Sequence, residues 1–209
     1  MGYIKKQIYQ LSKEARSKKQ ARIDSEKWFN ESLSKRSDKN IQLHPKPFLP
    51  GKIYVFDYTT PLTKETLEWW DKRPVVLALN PINSTTDCGI NLNLLPIKFK
   101  EELLDAFYEA FKSPITAATK GLSKEDAMRQ RALTSLRYEN VKRYLDKFGF
   151  GFAIRRYKTN LKRRQAVVSY ESWPRIVLCD FIKLNGATVW AVKRMFTEYN
   201  IKRQKEWNI

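Results

Sequence analysis

The chain has few of the residues from which metal and catalytic sites are usually built. It contains a single histidine, His44, and two cysteines, Cys88 and Cys179, which form no Cys-x-x-Cys pair. A structural zinc site needs four such ligands, commonly in close pairs, so the sequence predicts none. Both cysteines lie in apolar sequence and are expected to be core residues.

Glycine and long apolar runs are also scarce. The seven glycines are scattered, which excludes a P-loop or another glycine-rich phosphate cradle. No apolar stretch approaches the about 20 residues needed to cross a bilayer. Residues 1–6 are not followed by the apolar run of a signal peptide. We therefore expect a soluble protein made in a reducing cytoplasm, with no membrane span, no metal and no cofactor.

Positive charge is what the chain has in excess. Lys and Arg number 40 against 22 Asp and Glu, a formal net charge of +18. The hydrophobic fraction of 42% and aromatic fraction of 13% are too high for a disordered polycation. A folded protein with this field attracts phosphate backbones in a salt-dependent way, so nucleic acid is the first candidate partner. An anionic membrane surface and a merely solvated basic surface are the alternatives.

The densest charge lies in residues 155–164, where six of ten side chains are cationic. The stretch lies inside foldable sequence, and we predict a β-hairpin that holds these cations in place. Arg and Lys would contact phosphates and the tyrosine could stack on a base. The alternative is a charged hairpin in water. No pattern of base-reading side chains is present, so no sequence preference is predicted. The candidate nucleic-acid-binding residues are Arg155, Arg156, Tyr157, Lys158, Lys162, Arg163 and Arg164.

The acidic residues give little support for catalysis. A metal-dependent nuclease needs clustered carboxylates. Four acids on one predicted helix lie opposite its apolar stripe, as on an ordinary solvated face; they are Glu101, Glu102, Asp105 and Glu109. Three more, Asp57, Asp71 and Asp87, are spread over a predicted β region. His44 precedes a proline and no Ser-His-Asp arrangement is indicated, so we predict no catalytic residue.

The chain divides into an arm and a domain. Residues 1–45 carry eleven Lys or Arg against five Asp or Glu and read as one or two helices with a narrow apolar face. Three prolines within 45–50 then forbid helix and lead into a single domain, residues 46–209. The arm would pack on its own domain, on a neighbouring subunit or on DNA, and we expect an oligomer or larger assembly.

Within that domain the pattern predicts an α+β fold. Its centre would be a small, strongly bent antiparallel sheet or partial barrel, flanked by helices. Helices are predicted at 98–112, at 123–148 with Gly149 ending it, and at 188–199, with a short helix or turn at 64–71. Strands are predicted at 52–60, 74–79, 89–95, 150–157, 166–170 and 175–181.

Several short segments follow one another in a distinctive order. Pro-Gly opens an aromatic strand, an aromatic pair precedes Asp-x-x-Pro, and a Gly-x-Asn segment ends at Leu-Pro. These segments are 25–29, 50–58, 67–77, 89–96, 155–157 and 168–173. Together they resemble the DNA end protector proteins of tailed bacteriophages. The resemblance implies a virion-associated protein that acts on packaged linear DNA without turnover.

Charge and resemblance together predict a bacteriophage DNA-binding protein that binds and protects the ends of the packaged linear genome. It would be non-enzymatic, located in the virion and in the host cytoplasm during assembly. Its partners would be double-stranded DNA or its ends and other virion proteins. Two alternatives stay open: an architectural protein of the neck, tail or baseplate, and a small metal-dependent nuclease.

Overall fold

The protein is described by a computed structural model that covers residues 2–35, 37–38, 41–43, 47–58, 72–80, 82–112 and 137–179, with Arg194, Thr197 and Glu198. These residues form an α+β fold, as predicted. The helices of the described ranges are α1 (Tyr3–Glu14), α2 (Lys18–Lys35), α3 (Ile97–Lys112), α4 (Tyr138–Lys147) and α5 (Trp173–Leu178). The strands are β1 (Ser37–Asp38), β2 (Ile41–Leu43), β3 (Ile53–Tyr58), β4 (Val75–Ala78), β5 (Thr86–Asn91), β6 (Ile154–Lys158) and β7 (Lys162–Val168).

The strands form one open antiparallel sheet that is strongly bent. Its order is β1-β2-β7-β3-β4-β5-β6, so β7 and β6 are four steps apart. Across a flat sheet four steps span about 19 Å. Only the 3₁₀ turn Thr159–Leu161 connects the two strands, and even a fully extended link of that length reaches no more than about 14 Å. The sheet must therefore curl until the end of β6 and the start of β7 lie close together, and we call this junction the seam.

The predicted hairpin at 155–164 is wrong. β6 pairs with β5, and β7 pairs with β2 and β3, while β6 and β7 do not pair with each other. Alternation along a strand shows that it is extended but not which strand lies beside it. The apolar residues of the two basic strands are instead buried against strands that are distant in the sequence.

Both faces of the curled sheet are buried, which explains the nearly unbroken burial of β3. Ile53 and Val55 belong to the large core beneath the helices. Tyr54 and Phe56 point to the opposite, inner face. There the ring of Phe56 lies 5.0 Å from that of Tyr157 on β6, three strands away in the sheet. That contact is possible only because this face is concave.

The two N-terminal helices pack on the same core. α1 buries Ile4 and Ile8, and α2 buries Phe29 and Leu33. α1 contacts α3 and α5, and α2 contacts α5. The division into an arm of residues 1–45 and a domain of residues 46–209 stays a prediction.

The N-terminus of α1 is capped by an acid from α3. The backbone N–H of Ile4 donates to Asp105 Oδ1 at 2.8 Å. Asp105 and Glu101 are both buried, so the solvated face expected for these acids is wrong for these two. A Cβ atom on Gly2 would lie 2.0 Å from Asp105 Oδ2, so glycine permits this close approach. The contact fixes where α1 begins relative to α3.

Replacing Asp105 with alanine should destabilise the protein by about 1–2 kcal/mol, because a helix cap is lost and a buried N–H is left unpaired. Asp105→Asn keeps an acceptor and should retain most of the stability. Urea unfolding followed by circular dichroism measures both. Glu14→Ala, at an exposed position of α1, is the control and should change stability by less than about 0.5 kcal/mol. An equal loss in both alanine variants would contradict the cap.

Local signals succeed at some ends of elements and fail at others. α4 ends as predicted at Gly149, whose φ is 76°, with the Phe150 N–H donating to the Leu145 carbonyl at 2.9 Å. Cys88 and Cys179 are buried core residues, as predicted. The strand predicted at 175–181 is wrong over its described residues, because 175–178 lie in α5. A proline at the first turn favours a helix start, and periodicity alone cannot separate a short buried helix from a strand.

Other predicted features lie partly or wholly outside the described residues. They include His44, Asp71, the segment 64–71 and residues 123–136 of the second predicted helix. Of the helix predicted at 188–199, Arg194, Thr197 and Glu198 are described and are helical. None of the described helices combines the length and apolarity that a membrane crossing requires.

Candidate nucleic-acid interface

The two basic strands meet at one end of the sheet. Tyr58, at the end of β3, pairs with Lys162 at the start of β7. The Tyr58 hydroxyl accepts from the Lys158 N–H at 3.2 Å, which bridges the seam to β6. The Tyr58 N–H donates to the Lys72 carbonyl at 3.0 Å. We call the cations gathered here the basic rim: Lys72, Arg73, Arg156, Lys158, Arg163 and Arg164.

Three cations of the rim point away from the inner face. Tyr157 points inward, so its neighbours Arg156 and Lys158 point outward on β6, and both are exposed. Arg163 is exposed at the start of β7. Its register partner is Asp57, whose side chain emerges on the same outer face as Val55. Because the seam brings β6 close to β7, the three side chains share one stretch of outer surface. Among the described residues none of the three forms an ion pair with an acid.

Lys162 is not part of this surface, which corrects its assignment as a phosphate contact. Its side chain and that of Asp87 are each only 2% exposed, and the two form an ion pair. The ammonium nitrogen lies 3.9 Å from the centroid of the Phe48 ring. Burial lowers the pKa of Lys162, although the hydrogen bond and charge of Asp87 act in the opposite direction. The charge of Lys162 is therefore balanced inside the protein.

Asp87 connects the two sides of the seam from within. Besides Lys162, it accepts hydrogen bonds from the Phe48 N–H and from the Thr159 hydroxyl, each at 3.2 Å. The Thr159 N–H in turn donates to the Thr85 carbonyl at 3.0 Å. One carboxylate at the start of β5 thus fixes the turn between β6 and β7. The exposed cations on either side of that turn are held in place by this contact.

Tyr157 is also internal and is not positioned to stack on a base. It is 4% exposed, and its ring lies edge-on to Phe56 at 5.0 Å and to Tyr58 at 5.2 Å. Such pairs stabilise a core beyond the area that they bury. Arg155, two positions earlier on the same side of β6, is half-buried. Alternation along β6 therefore divides the predicted contacts into an inward and an outward set.

Arg164 lies at a bulge and shares a carboxylate with Arg73. Two residues of β7, 164 and 165, oppose the single residue Phe56 of β3, and Arg164 has a φ of 50°. Arg164 Nη2 lies 2.5 Å from Asp57 Oδ2, and Arg73 Nε lies 3.2 Å from Asp57 Oδ1. Partial burial alone would raise the pKa of Asp57, but the hydrogen bonds from Arg73 and Arg164 outweigh it and hold that pKa below its usual value.

Lys72 and Arg73 were not among the residues predicted from the sequence. They precede β4 by one proline, so the sequence placed them just before a strand. No neighbouring residue indicated that this part of the chain lies beside the start of β7. Asp87 was considered only as a possible metal ligand. Within the part of the chain that the structure describes, no three His, Cys, Asp or Glu side chains lie close enough to hold a metal ion.

The rim is therefore suited to binding a polyanion. It combines exposed guanidinium and ammonium groups with a backbone fixed by strand pairing. Of the described carboxylates at this end, Asp57 and Asp87 are both engaged by cations. The surplus of positive charge is accordingly left on the outer surface.

Comparison with known proteins gives a match to a protein family. Residues 3–148, more than two thirds of the chain, match the family described as Phage T4 terminal DNA protecting protein. No curated protein and no solved structure matches. The matched range begins before the first segment of the predicted resemblance and ends before β6. On this match over residues 3–148, the chain belongs to the family of phage terminal DNA protecting proteins, which confirms the resemblance seen in the sequence.

Proposed function

We propose that this protein binds the ends of a packaged linear phage genome through the basic rim and shields them from exonucleases without catalysing a reaction. The observation that carries the proposal is the group formed by Arg156, Lys158 and Arg163. These exposed cations lie on both sides of one seam and have no described acidic partner. Membership of the family supports DNA ends as the target.

Physical chemistry gives such a rim two useful properties. Each phosphate that a Lys or Arg neutralises releases counterions, so affinity is gained from solvent entropy and falls as salt rises. Strand pairing fixes the backbone beneath the side chains, so less conformational freedom is lost on binding than in a disordered basic tail. A protein held at the last phosphates of a duplex would obstruct any enzyme that must thread that end.

The proposal places the protein in the virion, after assembly in the host cytoplasm, with other virion proteins as neighbours. Tyr9 on α1 and Ile23 on α2 are large apolar side chains exposed to solvent. They favour an additional role in contacting other subunits, or a second copy of this chain. Light scattering of the purified protein with and without DNA measures the stoichiometry.

A nuclease is the less supported reading. Asp105 is used as a cap, and Asp57 and Asp87 are engaged by cations. Glu101 is buried. None of these described carboxylates is presented to a substrate as a metal-binding cluster.

A titration against salt tests the proposal directly. A blunt linear duplex and a duplex of the same sequence closed by hairpins at both ends are compared from 50 to 300 mM salt. Three phosphate contacts predict that log K falls with log salt with a slope of about −3 or steeper. The linear duplex should bind more tightly, and bound protein should slow digestion of that duplex by an exonuclease. A flat slope, or equal binding to the closed duplex, would contradict binding at ends.

A further inference from the structure

A carboxylate lies between two guanidinium groups at the outer surface of the rim. The side chains of Arg73 and Arg164 are 46% and 64% exposed, and Asp57 is 23% exposed. Among the described residues, two cations face one anion here, which is a surplus of one positive charge. Lys72 adjoins Arg73 in the chain, and Arg163 is the register partner of Asp57, so further positive charge lies alongside. The described residues around Asp57 therefore carry more positive than negative charge.

The backbone at Arg164 is in a conformation that favours glycine. Its φ of 50° places a long side chain in the left-handed region, which carries an energetic cost for any residue with a Cβ. An ion pair with exposed partners contributes little stability, so the contact with Asp57 does not account for an arginine here. Residues held in such conformations concentrate at ligand sites, where the surrounding structure maintains them. The bulge directs the guanidinium of Arg164 toward Asp57 and Arg73.

We propose that Arg73 and Arg164, oriented by Asp57, bind the phosphomonoester at the terminus of a DNA strand. The inference rests on the proposed function and names the chemical group that distinguishes an end from the interior of a duplex. A terminal phosphate carries a charge approaching −2 at neutral pH, whereas each phosphodiester carries −1. Guanidinium groups match the oxygens of such a group in charge and geometry, and two convergent guanidiniums favour the more highly charged form.

The experiment uses DNA hairpins that have one blunt end. Three versions carry a 5′-phosphate, a 3′-phosphate or hydroxyl groups only, and the affinity of the full-length protein for each is measured by fluorescence anisotropy. We expect one of the phosphorylated ends to bind about tenfold more tightly than the hydroxyl end. Whichever of the two phosphates gives the increase identifies the strand whose terminus is recognised.

Two variants connect this preference to the site. Arg164→Gly removes the guanidinium and supplies the residue that the backbone conformation favours, so the fold should be kept while the preference is lost. Arg73→Gln removes the other guanidinium from a position outside the bulge and should also abolish the preference. Arg163→Gln is the matched control. It should weaken binding to all three hairpins by a similar factor and leave their ratio unchanged.

The outcomes separate this inference from the proposed function. Equal affinity of the wild-type protein for all three ends, with a steep salt dependence, would overturn the phosphate site and leave end binding in place. A preference that persists in both Arg164→Gly and Arg73→Gln would overturn the assignment to these residues. Failure to bind any hairpin would instead contradict the proposed function.

Discussion

Reversing three charges of the basic rim should lower the affinity for blunt DNA by at least about a hundredfold at 0.1 M salt. The variant is Arg156→Glu, Lys158→Glu and Arg163→Glu combined. Each lost phosphate contact removes roughly 1 kcal/mol, and about 3 kcal/mol corresponds to a factor of at least about 100. The salt slope should decrease in magnitude by about 2.7, or 0.9 for each contact. Exonuclease protection should be lost at the same protein concentration.

A second triple variant makes the comparison independent of net charge. Lys6, Lys13 and Lys19 are exposed on or beside α1 and α2, the helices that pack on α3 and α5 rather than on the rim. Reversing them also lowers the formal charge from +18 by six, since each reversal removes two charges. Long-range attraction decreases similarly in both variants, so only the rim variant should lose the direct contacts. Equal losses of affinity would show that DNA is attracted by overall charge, and the rim would have no special role.

Lys162→Met should destabilise the fold by about 3–5 kcal/mol, the usual cost of removing one partner from a buried ion pair. Asp87 would lose its cationic partner while it remains buried beside Phe48, Thr159 and the aromatic rings of the inner face. Urea unfolding measures the free energy of unfolding. Lys158→Met, four residues earlier and exposed, should change that free energy by less than about 0.5 kcal/mol.

A double variant identifies the cause of the destabilisation. Asp87→Asn combined with Lys162→Met removes both charges but keeps a side-chain acceptor for the Phe48 N–H, so it should be more stable than Lys162→Met alone. The two single lysine variants should also differ in function. Under conditions where both are folded, Lys158→Met should weaken DNA binding and Lys162→Met should have much less effect. The opposite pattern would mean that Lys162 reaches the DNA.

Lys158 and Lys162 show how much of the candidate site could be predicted from the sequence. Both belong to one dense basic stretch, and its location on strands was predicted. Which lysine is buried depends on Asp87, which lies more than 70 residues away in the chain and meets Lys162 only after the sheet has curled. Local charge density therefore identified the region of the rim. It could not distinguish the exposed cations from Lys162, whose charge is balanced by Asp87.

Strand pairing likewise depends on contacts between residues that are distant in the sequence. The α+β class, the bent sheet, β3, β4, α3 and the end of α4 followed from alternation, helical periodicity and Gly149. The hairpin failed because β6 and β7 each bury their apolar residues against strands far away in the sequence. The helix α5 was missed because a short apolar run does not reveal its period, although Pro174 directly after Trp173 was a usable sign of a helix start.

The short turn that joins β6 and β7 also constrains how the chain acquires its binding activity. In the finished sheet β3, β4 and β5 lie between these two strands, and pairings between segments so distant in the sequence slow folding. A peptide containing residues 155–164 would possess the charges without their arrangement. Because DNA would bind the completed sheet and not the unfolded chain, the ligand should also raise the melting temperature of the whole domain.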